Sequence, residues 1–238
     1  MLSVPIDLEL TQGKFIRRVN RFMVLAEVGG EQVYAHLPNS GRLATTLYPG
    51  VKLYLKRAEN ILHRKSTYSI FAASRNDNST IIVDAQFSNY LARKAVEGGI
   101  IDGLEGYKVV KENIKPEGSN VRIDFLLGSN GSLFYLEVKI VTHVVDGVAL
   151  FPDSPTLRGR RHLIELSRLS ESGFKTGLMF SVQRPDAVHV KPNYDVDPEF
   201  ASLLKASAKK GLKIFTLRAV FIPQKDVAIW PNEPPFSF

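Results

Sequence analysis

The chain has 238 residues, of which 44% are hydrophobic and 23% charged, with a formal net charge of +7 and no cysteine. This composition is enough for one large or two small folded domains, and it excludes disulfides and cysteine-ligated metal centres. No apolar run reaches the roughly 18 residues of a membrane span, and the N-terminus has no signal-peptide pattern, so we expect a cytoplasmic protein without a membrane partner.

The first third of the chain, residues 1–84, is predicted to be mostly strand. Runs rich in β-branched and aromatic residues are separated by turn residues and lie at 15–28, 32–37, 51–57, 68–74 and 81–83. Short strands of this kind with Gly and Asn turns are typical of a small β-barrel or sandwich.

A basic and aromatic cluster lies on the first of these strands. Its arginines, Arg17, Arg18 and Arg21, stand among Phe15 and Phe22. Basic residues interleaved with aromatic ones suit a groove for single-stranded nucleic acid, because phosphates pair with cations while bases stack on rings. The alternative is an ordinary alternating strand that places Arg outside and Phe inside.

From residue 85 the pattern changes to helices mixed with strands. Helices are predicted at 87–97, 156–172 and 197–210, and strands at 108–112, 121–127, 133–142, 176–183 and 212–221. This order predicts a second domain of the α/β or α+β class over residues 85–238. Its last part, after residue 222, is expected to be a Pro-rich tail.

The most informative stretch is residues 121–142, VRIDFLLGSNGSLFYLEVKIVT. The Asn-Gly pair at 130–131 indicates a type I′ hairpin turn. A two-residue turn would place Asp124 opposite Glu137, whereas a four-residue loop would leave Glu137 on the diagonal. Both registers bring Asp124, Glu137 and Lys139 to one face, since strand side chains alternate, and a three-residue loop would separate them.

Two carboxylates on one strand face repel each other, and a bound divalent cation would remove that repulsion. Asp124 and Glu137 offer the hard oxygen ligands that Mg²⁺ or Mn²⁺ prefers, and the backbone carbonyl of Val138 is the expected third ligand. Lys139 would act on the attacking water or on the phosphate charge. The alternative is a solvated face on which Glu137 and Lys139 are ordinary surface charges.

The order of elements adds a resemblance. A helix, three strands, a helix and a strand, with an Asp strand beside a Glu-x-Lys strand, resemble the PD-(D/E)XK, or restriction-endonuclease-like, nucleases. The resemblance implies that Asp124 and Glu137 bind metal and that Lys139 assists the nucleophile. That superfamily often has a further acid on its first helix, where Glu97 is nearest, although a surface residue in the last helical turn is the simpler interpretation.

The whole chain resembles the sugar fermentation stimulation protein A family. The matching segments are GKFIRRVNRF, HLPNSGRL, VRIDFLL, YLEVKIVT, GVALFPDSPTLRGRRHLIEL and FSVQRPDA. The resemblance implies an OB-fold-like barrel at 1–84, a nuclease-like domain with a mixed sheet at 85–238, DNA binding and, in enteric bacteria, regulation of sugar-utilisation genes. It also gives Asn39, Ser40 and Arg42 a binding role, where turn formation alone would explain Asn39.

The chain departs from that family at the start of the second predicted helix. The family usually reads FPDA-x-T-E-R-G-Q-K-H, and here Leu157 replaces the Glu and Arg160 replaces the Gln. A Gln on that helix often supports the active site of the nuclease superfamily, so its absence argues against strong catalysis.

Positive charge is concentrated at the same helix start. Arg158, Arg160 and Arg161 lie in its first turns, where they oppose the helix dipole. The arrangement predicts a bound phosphate, since helix N-termini favour anions; a solvated basic turn is the alternative.

Together these features predict a nucleic-acid-binding protein with an Mg²⁺- or Mn²⁺-dependent site that hydrolyses phosphodiesters of DNA or RNA. A non-catalytic DNA-binding regulator that keeps the nuclease fold is the main alternative. A carbohydrate-binding or sugar-processing protein is a third interpretation, which rests on the family's name. The oligomeric state stays open.

Overall fold

The computed structural model of the chain describes residues 1–58, 66–76, 79–223 and 225–238. Within these ranges the strands form three sheets, and two of the sheets organise the molecule. None of the helices in the same ranges is long and apolar enough to cross a membrane.

The first sheet is a closed barrel. Its strands are β2 (Leu10–Asn20), β3 (Met23–Val28), β4 (Glu31–His36), β5 (Lys52–Arg57), β6 (Tyr68–Ser74) and β7 (Thr80–Ile82). They run in the order β4-β3-β2-β5-β6-β7, and a parallel pairing of β4 with β6 closes five of them around an apolar interior. The predicted OB-like barrel is therefore confirmed.

The second sheet is mixed and has seven strands. They are β1 (Leu2–Pro5), β8 (Lys108–Ile114), β9 (Ile123–Ser129), β10 (Ser132–Val141), β13 (Lys175–Val182), β15 (Lys213–Ile222) and β16 (Asp226–Pro231), in the order β1-β16-β15-β13-β10-β9-β8. The central strands β10, β13 and β15 are parallel. A small third sheet joins β11 (Val144–Val145), β12 (Val148–Phe151) and β14 (His189–Pro192).

Both ends of the chain differ from the sequence expectation. Residues 2–5, which were counted with the barrel, pair instead with β16 of the mixed sheet. Residues 226–231, which were expected to be a tail, form β16 itself and pair with β15 as well. The two ends thus complete one edge of the mixed sheet, a long-range pairing that local pattern does not reveal.

Three helices cover the mixed sheet: α1 (Ala85–Glu97), α2 (Leu157–Glu171) and α3 (Pro198–Lys209). Each begins at a side chain that accepts from its first-turn amides, Asp84, Thr156 and Asp197 respectively. The barrel and α1 share one apolar core with one face of the sheet, and α2 and α3 pack on the other face. This arrangement confirms the predicted mixed α/β class.

The coverage of both faces decides the environment of the β9–β10 hairpin. Phe125 and Leu136 belong to the core shared with α1, whereas Tyr135 and Val141 belong to the core under α2. Both faces of these strands are therefore covered away from the turn. Glu137 is only 1% exposed, so the solvated alternative is wrong for that residue.

Candidate metal and nucleic-acid site

The hairpin has the two-residue turn. Ser129 pairs with Ser132, and the two residues between them, Asn130 and Gly131, have φ values of 46° and 79°. Positive φ at both central positions is what a type I′ turn requires. Regular pairing of β9 with β10 continues as far as Phe125 and Leu136.

Beyond that last pair, backbone amides donate to carboxylate side chains and no longer to backbone carbonyls of the neighbouring strand. The amide of Val138 donates to Asp124 Oδ2 at 2.9 Å, and the amide of Asp124 donates to Glu137 Oε2 at 3.3 Å. Ile123 packs in the core under α2, whereas Phe125 packs on the opposite side of the sheet. The strands therefore separate at Asp124, and its carboxylate lies in the opening between them, next to Glu137.

Helix α2 closes the site from one side. Lys139 and His162 both contact Glu137 Oε1, and Lys139 Nζ lies 3.1 Å from His162 Nδ1. On the far side of the imidazole, Arg158 Nε donates to His162 Nε2 at 3.3 Å. Glu137 is thus held between a strand lysine and a helix histidine.

Helix α1 contributes the other wall. Asn89 Nδ2 donates to Asp124 Oδ1 at 3.0 Å, so α1 supplies an amide to the site. Glu97, the acid that the superfamily resemblance brought forward, pairs with Arg93 one turn earlier on the same helix. The sequence analysis missed Asn89, because only the docking of α1 against the open hairpin brings it to Asp124.

The two carboxylates are electrostatically unequal. Burial, and next the charge of Glu137, raise the pKa of Asp124 to about 6, although Lys139 and two hydrogen-bond donors oppose the rise. Burial would also raise the pKa of Glu137, but Lys139 and His162 outweigh it and the pKa of Glu137 is lowered. Glu137 is therefore the stronger acid of the pair, and a nearby cation would lower the raised pKa of Asp124.

These residues fit a hard divalent cation. Two adjacent carboxylates, one with a pKa raised by the other's charge, gain from a cation that both can share. In the described residues no group of three or more His, Cys, Asp or Glu side chains is placed to hold a metal ion. A site with two carboxylates is nevertheless ordinary for Mg²⁺, which keeps waters and takes phosphate oxygens as further ligands.

The arginines of the barrel differ in their roles. Arg18 donates to the backbone carbonyls of residues 20, 21, 39, 41 and 42, so its guanidinium organises the loop between β4 and β5. Arg17 and Arg21 are exposed, and the Arg21 guanidinium lies 5.4 Å from the ring centre of Phe22. Of the three predicted phosphate contacts, Arg17 and Arg21 are the two at the surface.

The loop between β4 and β5, which Arg18 holds, contacts the second domain. Asn39 is buried, donates to the Val83 carbonyl and accepts from the Gly41 amide, whereas Ser40 and Arg42 are exposed. At Gly41 a Cβ would lie 2.6 Å from a carboxylate oxygen of Asp153, a residue just before α2. A larger residue at this position would displace the Asp153 carboxylate from its close approach to the loop.

The arginines at the start of α2 also separate into two groups. Arg160 pairs with the buried carboxylate of Asp197 and with Glu199. Arg158 and Arg161 are exposed, as is Leu157, which stands at the family's usual Glu. The charge of Arg160 is thus compensated within the protein, and the argument for a bound phosphate applies to Arg158 and Arg161.

The molecule therefore belongs to the class that joins an OB barrel to a restriction-endonuclease-like domain, with Asp, Glu and Lys at the open end of a hairpin. Residues 16–83 match the "SfsA N-terminal OB domain" and residues 86–225 match the "Sugar fermentation stimulation protein RE domain". The chain belongs to the sugar fermentation stimulation protein family.

Two relatives and one solved structure match this chain over nearly its whole length. A sugar fermentation stimulation protein homolog of Moorella thermoacetica is 37% identical over 94% of each chain. A homolog of Methanothermobacter thermautotrophicus is 36% identical over 94% of this chain and 95% of its own. The structure of Pyrococcus furiosus SfsA in complex with Ca²⁺ superimposes with a TM-score of 0.88, at 25% identity over 96% of each chain.

Proposed function

We propose that this chain binds nucleic acid and hydrolyses its phosphodiester bonds at an Mg²⁺- or Mn²⁺-dependent site formed by Asp124, Glu137 and Lys139. The observation that carries the proposal is the pair of carboxylates at the open end of the hairpin, where burial and the charge of Glu137 raise the pKa of Asp124. The Pyrococcus furiosus relative was solved with Ca²⁺, and a hard cation in that protein supports an oxygen-ligand site in this one.

Each residue of the site has a distinct part in the proposal. Asp124 and Glu137 would hold the cation through carboxylate oxygens, with the backbone carbonyl of Val138 as a third ligand. When bound, the cation would stabilise the negative charge that develops on the phosphate during hydrolysis. Lys139, whose Nζ contacts Glu137, would donate to a phosphate oxygen or orient the attacking water.

The proposed nucleic-acid interface runs from the barrel to α2. Exposed basic and polar side chains on this path are Arg17, Arg21, Ser40, Arg42, Arg158 and Arg161. Two exposed aromatic side chains of the barrel, Phe22 and Tyr34, offer rings on which unpaired bases could stack. Arg18 and Asn39 would contribute indirectly, because they hold the loop that presents Ser40 and Arg42.

One observation favours a second candidate function. Arg160, at the family's usual Gln, is held by Asp197 and Glu199 and so does not supply a polar group to the site. A site without that support suits a DNA-binding regulator that keeps the nuclease fold but does not cleave. Family membership is consistent with either function.

Cleavage of labelled single- and double-stranded DNA and RNA, with Mg²⁺, Mn²⁺ or a chelator, tests the proposal. We expect metal-dependent cleavage by the native protein and none by Lys139→Ala, which should still bind Mn²⁺. Lys191→Ala, at an exposed lysine of β14, is the matched control. A native protein that binds nucleic acid but cleaves none of the substrates would favour the regulator, and one that binds none would contradict both functions.

A further inference from the structure

A chain of three side chains leads from the surface of α2 to the buried carboxylate of Glu137. Arg158 and His162 lie one helical turn apart, and Arg158 Nε donates to His162 Nε2 at 3.3 Å. His162 Nδ1 contacts Glu137 Oε1. Arg158 is exposed, whereas His162 is 2% exposed and Glu137 1%. The imidazole is therefore the only member that touches both the exposed arginine and the buried acid.

The chemistry of arginine sets the direction of these hydrogen bonds. A guanidinium can only donate, so His162 Nε2 must accept and carries no proton. An imidazolium carries a proton on both ring nitrogens, so a ring whose Nε2 accepts a hydrogen bond is neutral. Its single proton is then on Nδ1, where it is donated to Glu137 Oε1. Lys139 donates to the same oxygen, which leaves Oε2 toward Asp124.

We propose that His162 is a positioning residue, whose Nδ1 proton fixes the orientation of the Glu137 carboxylate, and that Arg158 fixes the His162 tautomer. This inference rests on the proposed function, since the carboxylate that His162 orients is one of the two proposed metal ligands. Partners of this kind commonly orient metal-binding carboxylates, and their loss lowers metal affinity. In the described residues His162 hydrogen-bonds to Arg158 and Glu137 and does not contact the carboxylate of Asp124. Its Nδ1 also lies near Lys139 Nζ because both nitrogens donate to Glu137 Oε1.

The tautomer can be measured in the metal-free protein. Protein labelled with ¹⁵N-histidine, observed through two-bond ¹H–¹⁵N correlations, should show His162 with a protonated Nδ1 and an unprotonated Nε2. Arg158→Leu removes the donor to Nε2, and we expect the Nε2 resonance to shift, because that nitrogen is then free to take up a proton while Nδ1 still donates to Glu137. The opposite tautomer in the native protein, or an unchanged His162 signal in Arg158→Leu, would overturn the inference.

Calorimetric titration with Ca²⁺ tests the consequence. His162→Leu should lower Ca²⁺ affinity by about 10- to 100-fold, the usual effect of losing such a partner. His162→Asn keeps an amide N–H near the Nδ1 position, so it should restore affinity to within about threefold of native. Circular dichroism controls for folding of both variants. An equal loss in the two folded variants, or a loss in neither, would overturn the positioning role.

The two measurements also separate this inference from the proposed function. If the native protein binds no Ca²⁺ but His162 shows the expected tautomer and responds to Arg158→Leu, the proposed metal site is wrong. The hydrogen-bonded connection from Arg158 to Glu137 is then supported on its own.

Discussion

Asp197 is buried and Asp124 is half-buried, and their carboxylates have different surroundings. Asp197 caps α3 by accepting from the Phe200 amide, and it also accepts from the Thr156 amide and from Arg160. Burial would raise its pKa, but these donors outweigh burial and hold the pKa of Asp197 below its usual value. The protein's own hydrogen-bond donors therefore satisfy the Asp197 carboxylate in its charged form.

Asp124 also has donors, the Val138 amide and Asn89, yet its pKa is raised to about 6. Burial and then the charge of Glu137 raise the pKa of Asp124 more than Lys139 and its donors lower it, whereas Arg160 pairs directly with Asp197. A buried acid that the protein's own groups satisfy is part of the scaffold. A buried acid with a raised pKa beside another acid is a candidate functional site, and here it marks where a cation gains most.

The largest effect should come from removing the satisfied carboxylate. Asp197→Ala deletes the α3 cap and leaves Arg160 without its buried partner, so we expect a loss of about 3–5 kcal/mol in the free energy of unfolding, measured with urea. Asp195→Ala, at an exposed acid two residues earlier, should change it by no more than about 0.5 kcal/mol. Equal effects of Asp197→Ala and Asp195→Ala would mean that the contacts of Asp197 do not stabilise the fold.

Asp124→Asn should not lower the free energy of unfolding as Asp197→Ala does. Because the folded-state pKa of about 6 lies above the ordinary 3.8, the folded protein binds this proton more tightly than the unfolded chain. The resulting stability is fully present below the unfolded pKa and is lost as pH rises through about 6. In a chelator at neutral pH, Asp124→Asn should therefore match the native protein or exceed it by on the order of 1–3 kcal/mol.

Urea unfolding of both proteins across this pH window checks the prediction. The native free energy of unfolding should fall relative to that of the variant as pH rises from 3.8 to about 6. Parallel curves for the two proteins would mean that folding does not shift the pKa of Asp124, and would contradict the prediction.

The contrast between a paired and an unsatisfied charge can also be tested with two neighbouring arginines, Arg160 and Arg161. Arg160→Gln removes the partner of Asp197, so we expect it to lower the free energy of unfolding. Arg161→Gln, at an exposed position, should leave stability within about 0.5 kcal/mol but weaken nucleic-acid binding. If Arg161→Gln were the destabilising change and Arg160→Gln the one that weakened binding, the roles assigned to them would be reversed.

The smallest effect concerns one surface phosphate contact. Affinity for duplex DNA should fall with salt, and Arg17→Ala should reduce the log–log slope by about 0.9, the contribution of one phosphate. Glu31→Ala, at an exposed acid of β4, is a control that removes no positive charge. Salt-independent binding by the native protein would contradict the electrostatic interface.

Sequence pattern predicted the carboxylate pair because the hairpin is local. The Asn-Gly turn is enough to bring Asp124 near Glu137, and the structure has the two-residue turn, one of the two loop lengths expected to do so. Local pattern also predicted a small β-barrel or sandwich followed by an α/β or α+β domain, and the family resemblance specified the OB-like barrel. These features depend on residues close together in the chain.

The remaining parts of the site depend on how distant elements dock. Asn89 reaches Asp124 only because α1 packs beside the open hairpin, and His162 reaches Glu137 only because α2 closes the opposite side. Arg160 and Arg161 are adjacent in a basic run, and only the position of α3 decides that Arg160 meets Asp197. The pairing of β1 with β16 joins the two ends of the chain for the same reason.

Calorimetric titration with Mn²⁺ of the native protein and Asp124→Asn tests the central claim, that Asp124 and Glu137 jointly bind one divalent cation. Both proteins are first checked for folding by circular dichroism, and Asp195→Asn serves as a charge-matched control. We predict one Mn²⁺ bound by the native protein and by the control, and none by Asp124→Asn. Equal Mn²⁺ affinity in the native protein and Asp124→Asn would contradict the site.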